Sequence, residues 1–222
     1  MGAEVNVLII AAHPDDEVLG CGGALARHAS NGDNVTILFL ADGVTSRKGG
    51  KEHLAGRYQA AKDAAKILRA EPPRFLEYFD QRLDQVPFLD LVQTIERELE
   101  YIPAPNIVYT HHAGDLNLDH QIAHRATMTV FRPIPESTIS AIYAYEVPSA
   151  TGWGTDQLFV PDRFVAISVN KKMAALEPYA DEMREFPHAR SLSAILSLAD
   201  WRGASVGMKA SEAFMTLRSI ER

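Results

Sequence analysis

The sequence predicts an α/β fold: a mostly parallel, Rossmann-like sheet flanked by helices on both faces. Two observations carry this. Short apolar runs rich in Val and Ile recur along the first two-thirds of the chain, and each is followed by a stretch whose apolar residues fall three and four positions apart. Strand and helix alternating four times require crossover connections, which are right-handed and put helices on both sides of a parallel sheet.

In chain order, Glu4 to Ala12 (EVNVLIIAA) is a strand buried on both faces, and it stops at His13-Pro14. From Glu17 to Ala29 the positions Val18, Leu19, Gly22, Leu25, Ala26 and Ala29 have helical spacing, and Gly32 supplies a stop. Val35 to Ala41 is a second strand, and Leu54, Tyr58, Ala61, Ala65 and Leu68 mark the next helix. Arg74 to Phe79 is a third strand, and Phe88, Leu91, Ile95, Leu99 and Ile102 form a helix behind Pro87. Asn106 to Thr110 is a fourth strand, with a helix from His120 to Arg132. After Pro133 the rhythm changes. Thr138 to Val147 and Leu158 to Val169 read as two more strands joined by a loop over 148–156, and helices are expected from Lys171 to the end. No linker, repeat or charge block interrupts the chain, so 1–222 reads as one domain.

Composition narrows the function. With 46% hydrophobic and 23% charged residues the chain has the make-up of an ordinary globular protein. No apolar run reaches the roughly 18 to 20 residues of a membrane span, and Met1 to Ile10 has no signal-peptide pattern, so a cytoplasmic location without integral membrane contact is expected. Lys and Arg total 22 against 29 Asp and Glu, a net charge of −7, which argues against nucleic acid and favours a small soluble substrate. A homo-oligomer is compatible with this composition. Cys21 is the single cysteine, so any metal is to be held by His, Asp or Glu, and eight histidines are available.

Open α/β sheets bind ligands outside the carboxyl ends of their strands. Two such ends are rich in ligand-type residues: Ala12-His13-Pro14-Asp15-Asp16-Glu17, and the segment from His111 and His112 through Asp115, Asn117 and Asp119 to His120. Two imidazoles and a carboxylate are a set that catalytic zinc uses, and a further unliganded carboxylate beside it can take a proton from water. The pair Asp15 and Asp16 can supply one carboxylate of each kind. A plainer reading makes Asp15, Asp16 and Glu17 helix caps and dipole partners, and spacing does not separate the two. His111 rivals His120 as a ligand, and His124 reads as a packed or solvated residue. Gly20-Cys21-Gly22-Gly23 reads as a close helix-to-sheet contact. A nucleotide-binding oxidoreductase would need GxGxxG after the first strand, where His-Pro-Asp-Asp stands.

The strings AHPDDEVLGCGG and DLNLDHQIAHRA, with LADG at Leu40 to Gly43 and the closing ADWRGASVGMKASEAFMTLR, resemble the zinc-dependent N-deacetylases of the PIG-L/LmbE-like family. The resemblance implies an LmbE-like fold and removal of an acetyl group from an N-acetylated amino sugar of the GlcNAc type. It makes His13, Asp16 and His120 the ligands of Zn2+, which Fe2+ can replace, and Asp15 the general base. Where many members have a histidine three positions before the last ligand, this chain has Asn117. Either Asn117 then donates to the oxyanion, or His111 or His112 replaces the missing imidazole; the plainer reading makes Asn117 a helix N-cap. Asp42, Arg57, Asp80 and Trp153 are candidate substrate-binding residues, and the loop Arg47 to Lys51 would suit a phosphate- or nucleotide-bearing sugar. Alternatives are an amidohydrolase on a non-sugar amide and a catalytically weak family member that binds metal or sugar.

Overall fold

The structure is a computed structural model that describes residues 5–155 and 157–221; Glu4 of the first expected strand and Asp156 of the loop lie outside the described residues. Four βα units open the chain. They are β1 (Asn6–Ala11) with α1 (Asp16–Ser30), β2 (Asn34–Ala41) with α2 (Gly50–Leu68), β3 (Arg74–Tyr78) with α3 (Phe88–Leu99), and β4 (Ile107–His111) with α4 (Leu118–Val130). There follow β5 (Ala141–Tyr145), β6 (Arg163–Ala166), α5 (Val169–Leu176), α6 (Leu192–Ala204) and β7 (Ser211–Ser219). All seven strands form one sheet in the order β3-β2-β1-β4-β5-β7-β6. The first five are parallel; β7 runs antiparallel to both β5 and β6.

Alternation along β1 divides the core, because successive side chains of a strand point to opposite faces. Val7, Ile9 and Ala11 pack with residues of α1, α2 and α5, whereas Leu8, Ile10 and Ala12 pack with α3 and α4. Both sets are fully buried, which is why the run is apolar at every position and not at alternate ones. Helix α1 lies so close to the sheet that a Cβ at Gly20 would overlap the Tyr145 ring, in agreement with the packing expected of that glycine-rich stretch.

Two expectations for the C-terminal third are corrected. The strand read over Leu158 to Val169 is only Arg163–Ala166, and the chain ends in the nine-residue strand β7, not in helix. SEAFMTLRS is rich in helix-forming residues; pairing on both edges, with its first four residues buried, overrides that preference.

β7 also secures α1. Cys21 has non-helical φ/ψ (−143, 16), which interrupts the ladder of α1. The freed N–H groups of Gly23 and Ala24 donate to the Glu212 carboxylate at 2.9 and 2.7 Å. Lys172 of α5 donates to the Leu19 carbonyl at 2.8 Å and pairs with Glu212 at 2.7 Å. A buried ion pair thereby caps the second half of the helix that carries Asp16.

Candidate active site

From β1 the chain moves outward to β2 and β3, then returns to the other side of β1 as β4. The carboxyl ends of β1 and β4 therefore flank the point where strand order reverses, where two loops diverge and leave a crevice. The His13 loop follows β1, and the segment from His112 to His120 follows β4.

Three donor atoms converge there. His13 Nδ1 lies 3.3 Å from Asp16 Oδ2, and His120 Nε2 lies 3.2 Å from the same oxygen. All three residues are buried, and a metal ion could be held among them. The donor chemistry fits a cation: Asp16 Oδ1 and His120 Nε2 are buried without a hydrogen-bond partner among the described residues, a costly arrangement that metal coordination relieves. Outer carboxylates flank both rings. His13 Nε2 faces Asp119 at 3.0 Å and Asp80 at 3.2 Å, leaving Nδ1 toward Asp16, while Asp115 lies 3.2 Å from His120 Nδ1. Asp119 is itself fixed by the backbone N–H groups of Gln81 and Leu83.

Electrostatics follow from this crowding. Burial opposes a charged His13, but hydrogen bonds to Asp119 and Asp16 outweigh it and push the imidazole up to about 10. His120 is likewise raised against burial, to about 9, by Asp16 and Asp115. Burial would raise Asp16, yet the charge of the adjacent His120 imidazole holds it well below the usual carboxylate range. Since imidazole ligands are neutral, a metal ion held here would displace protons.

Asp15 is separate from this triangle. It occupies the N-cap position of α1 at φ 124, and its side chain makes no capping hydrogen bond, so the plain helix-cap reading fails for it. Its backbone N–H donates to Glu17 Oε2 at 2.9 Å, and Tyr179 donates to Glu17 Oε1 at 2.7 Å; these bonds hold the unusual backbone. Burial dominates the Asp15 carboxyl and leaves it above its ordinary value, although Arg190 and Arg57 pull it down.

The pocket in front of these groups, about 180 Å³, is lined by His13, Asp15, Arg57, Asp80, Asn117 and Arg190 among others. A neighbouring cavity of about 570 Å³ shares Arg47 and Arg57. Of the expected substrate-binding residues, Arg57 and Asp80 line the pocket. Asp42 does not: its carboxylate accepts from the Val44 and Thr45 N–H groups and shapes a turn. Trp153 is 53% exposed, lies against His188 and is outside the pocket lining.

Neither expected substitute imidazole lines the pocket. His111 Nε2 accepts from the Ala12 N–H at 2.9 Å, with its ring stacked on His120, and His112 Nε2 faces the Gln157 carbonyl at 3.0 Å. His124 contacts the His111 carbonyl at 2.8 Å. Asn117 caps α4, its side chain accepting from the Asp119 N–H at 2.9 Å. Arg47 of the basic loop and Arg57 of α2 both pair with Glu182. Sequence reading missed Arg190 and Glu182 altogether, since both lie in segments with no strand-end signal.

The profile of the PIG-L family, described as GlcNAc-PI de-N-acetylase, matches residues 8–131, more than half of the chain, a span that includes His13, Asp15, Asp16 and His120. The chain belongs to the PIG-L family. The relative named uncharacterized deacetylase YaiS, of Escherichia coli K12, is 31% identical over 181 residues, covering 78% of this chain and 90% of that one. The N,N'-diacetylchitobiose deacetylase structure from Pyrococcus horikoshii superposes with a TM-score of 0.77 at 19% identity, covering 97% of this chain and 84% of that one. The 4-carboxy-2-hydroxymuconate hydratase GalB of Pseudomonas putida KT2440 superposes with a TM-score of 0.76 at 23% identity, covering 98% and 99%. The PIG-L fold thus accompanies more than one reaction among structural neighbours, and function has to be argued from the site. No helix among the described residues is long and apolar enough to cross a membrane.

Proposed function

We propose that this PIG-L protein is a divalent-metal-dependent hydrolase that removes the acetyl group from an N-acetylated amino sugar, with Zn2+ as the metal and Asp15 as general base. The observation that carries the reading is the convergence of His13 Nδ1, Asp16 Oδ2 and His120 Nε2 beside a carboxylate that is not one of the three. A divalent cation held there supplies Lewis acidity, acidifying water and polarising the acetyl carbonyl.

The remaining chemistry belongs to the chain's own groups. Asp15 Oδ2 faces Arg57 at 3.5 Å and Arg190 at 3.1 Å, which leaves Oδ1 to take the proton of the attacking water. Burial strengthens that base. When the tetrahedral adduct collapses, Asp15 returns the proton to the departing nitrogen, so that amide and water become acetate and amine. Asp80 can accept from a sugar hydroxyl at the pocket wall, and the pocket and its neighbouring cavity together fall within the ~300–1,000 Å³ of small-molecule sites.

The test is acetate and amine release from a panel of N-acetyl amino sugars, with and without phosphate or nucleotide groups, alongside metal analysis. Release from at least one sugar by metal-loaded protein is expected. Metal-loaded protein that releases acetate from none, or cleaves only non-sugar amides, overturns the sugar-deacetylase reading.

A further inference from the structure

The cations around Asp15 are not equivalent. Arg57 is locked: Nη1 donates to the Pro14 carbonyl at 2.7 Å, and Nη2 is paired with Glu182. Arg47 makes two hydrogen bonds of 2.6 Å to Glu182. Arg190 reaches Asp15 from 175 residues along the chain. Its Nη1 donates to Asp15 Oδ2 at 3.1 Å, its Nε donates to the Ser149 hydroxyl at 2.7 Å, and Glu182 stands farther off at 3.8 Å. Among the described residues Nη2 of Arg190 has no hydrogen-bond partner, and the residue lines the pocket with His13, Asp15 and Asn117.

Amide hydrolysis places a negative charge on the former acetyl oxygen, and a fixed donor beside that oxygen accelerates the reaction. Among the described residues His13 is the one histidine lining the pocket, and it belongs to the proposed ligand triangle; Asn117, with Oδ1 in its cap, has only a neutral amide N–H to offer, a weaker partner for an oxyanion than a guanidinium. The geometry points to Arg190 as a catalytic residue, a permanent cation that donates to the tetrahedral oxyanion. This rests on the deacetylase reading above.

The charge balance explains why the contact to Asp15 suits this role. In the ground state the guanidinium faces the Asp15 carboxylate. As water attacks, the new C–O bond forms, an O–H bond breaks with its proton going to Asp15 Oδ1, and the carbonyl π pair moves onto oxygen. The negative charge thus leaves Asp15 and appears on the substrate, while arginine stays protonated throughout. Arg190 loses one anionic partner as it gains another, so its interaction with substrate strengthens in the transition state and adds little to ground-state binding. On collapse the pair returns to the carbonyl, the C–N bond breaks and the proton on Asp15 goes to nitrogen.

The experiment compares wild type with R190Q, R190K and R190A, each at full metal content, on a sugar that wild type deacetylates. Loss of such a donor is expected to lower kcat by about 10²–10³ with a much smaller change in KM. Free guanidinium should restore part of the R190A rate. Affinity for a methylphosphonamidate analogue of the tetrahedral adduct should fall in R190Q, while affinity for the amine product stays near wild type. That binding pair needs no turnover and separates catalysis from mere support of the 149 loop, since a structural defect weakens both ligands alike. An active wild type whose R190Q variant keeps its kcat, or loses both ligands equally, removes the assignment of Arg190 alone. A wild type that deacetylates no sugar removes the deacetylase reading and this assignment together.

Discussion

The parallel strands β3-β2-β1-β4-β5 and the antiparallel pair β7-β6 lie in one sheet, yet the chain segments around them bring different chemistry to the pocket. The parallel part supplies the converging donors. His13 and Asp16 follow β1, His120 opens α4 behind β4, and Asp80 and Asp119 support them from neighbouring turns. The segments that follow β5 supply charge control. Ser149, Glu182 and Arg190 surround the arginines and Asp15, Tyr179 holds Glu17, and Glu212 with Lys172 caps the broken helix that carries Asp16. The proposed metal ligands thus lie on one part of the fold and the charges around the proposed base on another, and the two can be perturbed separately.

Substitutions in the parallel part should break that division most severely. His120→Ala removes one of three donors and is expected to abolish acetate release together with metal content; full occupancy by metal analysis would direct attention to His111, whose ring is stacked on that of His120. Asp15→Asn should keep the metal while kcat falls by about 10²–10⁴, the usual contribution of a general base. A parallel loss of metal in that variant would place Asp15 among the ligands.

The C-terminal part should respond in stability and rate, with metal retained. Glu182→Gln leaves Arg57 without its buried partner and is expected to cost about 3 kcal/mol in urea unfolding. Burial alone would raise the Glu182 carboxyl, but the Arg47 hydrogen bonds and the Arg57 charge hold it below its ordinary 4.5. A carboxyl lowered by folding stabilises fully above its unfolded value and ceases to do so as pH falls through its folded value. The stability difference between wild type and Glu182→Gln should therefore be constant near neutrality and shrink below about pH 4.5; a difference that grows on acidification would contradict the ion-pair account. The smallest effect is expected back in the parallel part, for Asn117→Ala: about 1 kcal/mol from the lost cap of α4, with kcat changed little. A large fall in kcat would instead make the Asn117 amide a participant in the reaction.

Much of this arrangement was determined by the sequence alone. Continuous apolar runs specify strands buried on both faces, and His-Pro-Asp-Asp at the end of one run, with an Asp-His pair beyond another, places ligand-type residues at one sheet edge. These signals are local, because a strand and the turn after it are a few residues long. Which aspartate faces the imidazoles was decided by the turn after β1, where φ 124 at Asp15 separates the two neighbouring carboxylates. Tertiary pairing made a strand of SEAFMTLRS, a segment whose own preference is helical. The Arg190 contact to Asp15 spans 175 residues and has no periodicity to announce it. An ion pair of that kind depends on where the fold brings two surfaces together, so the charge surrounding the base was set by the tertiary structure.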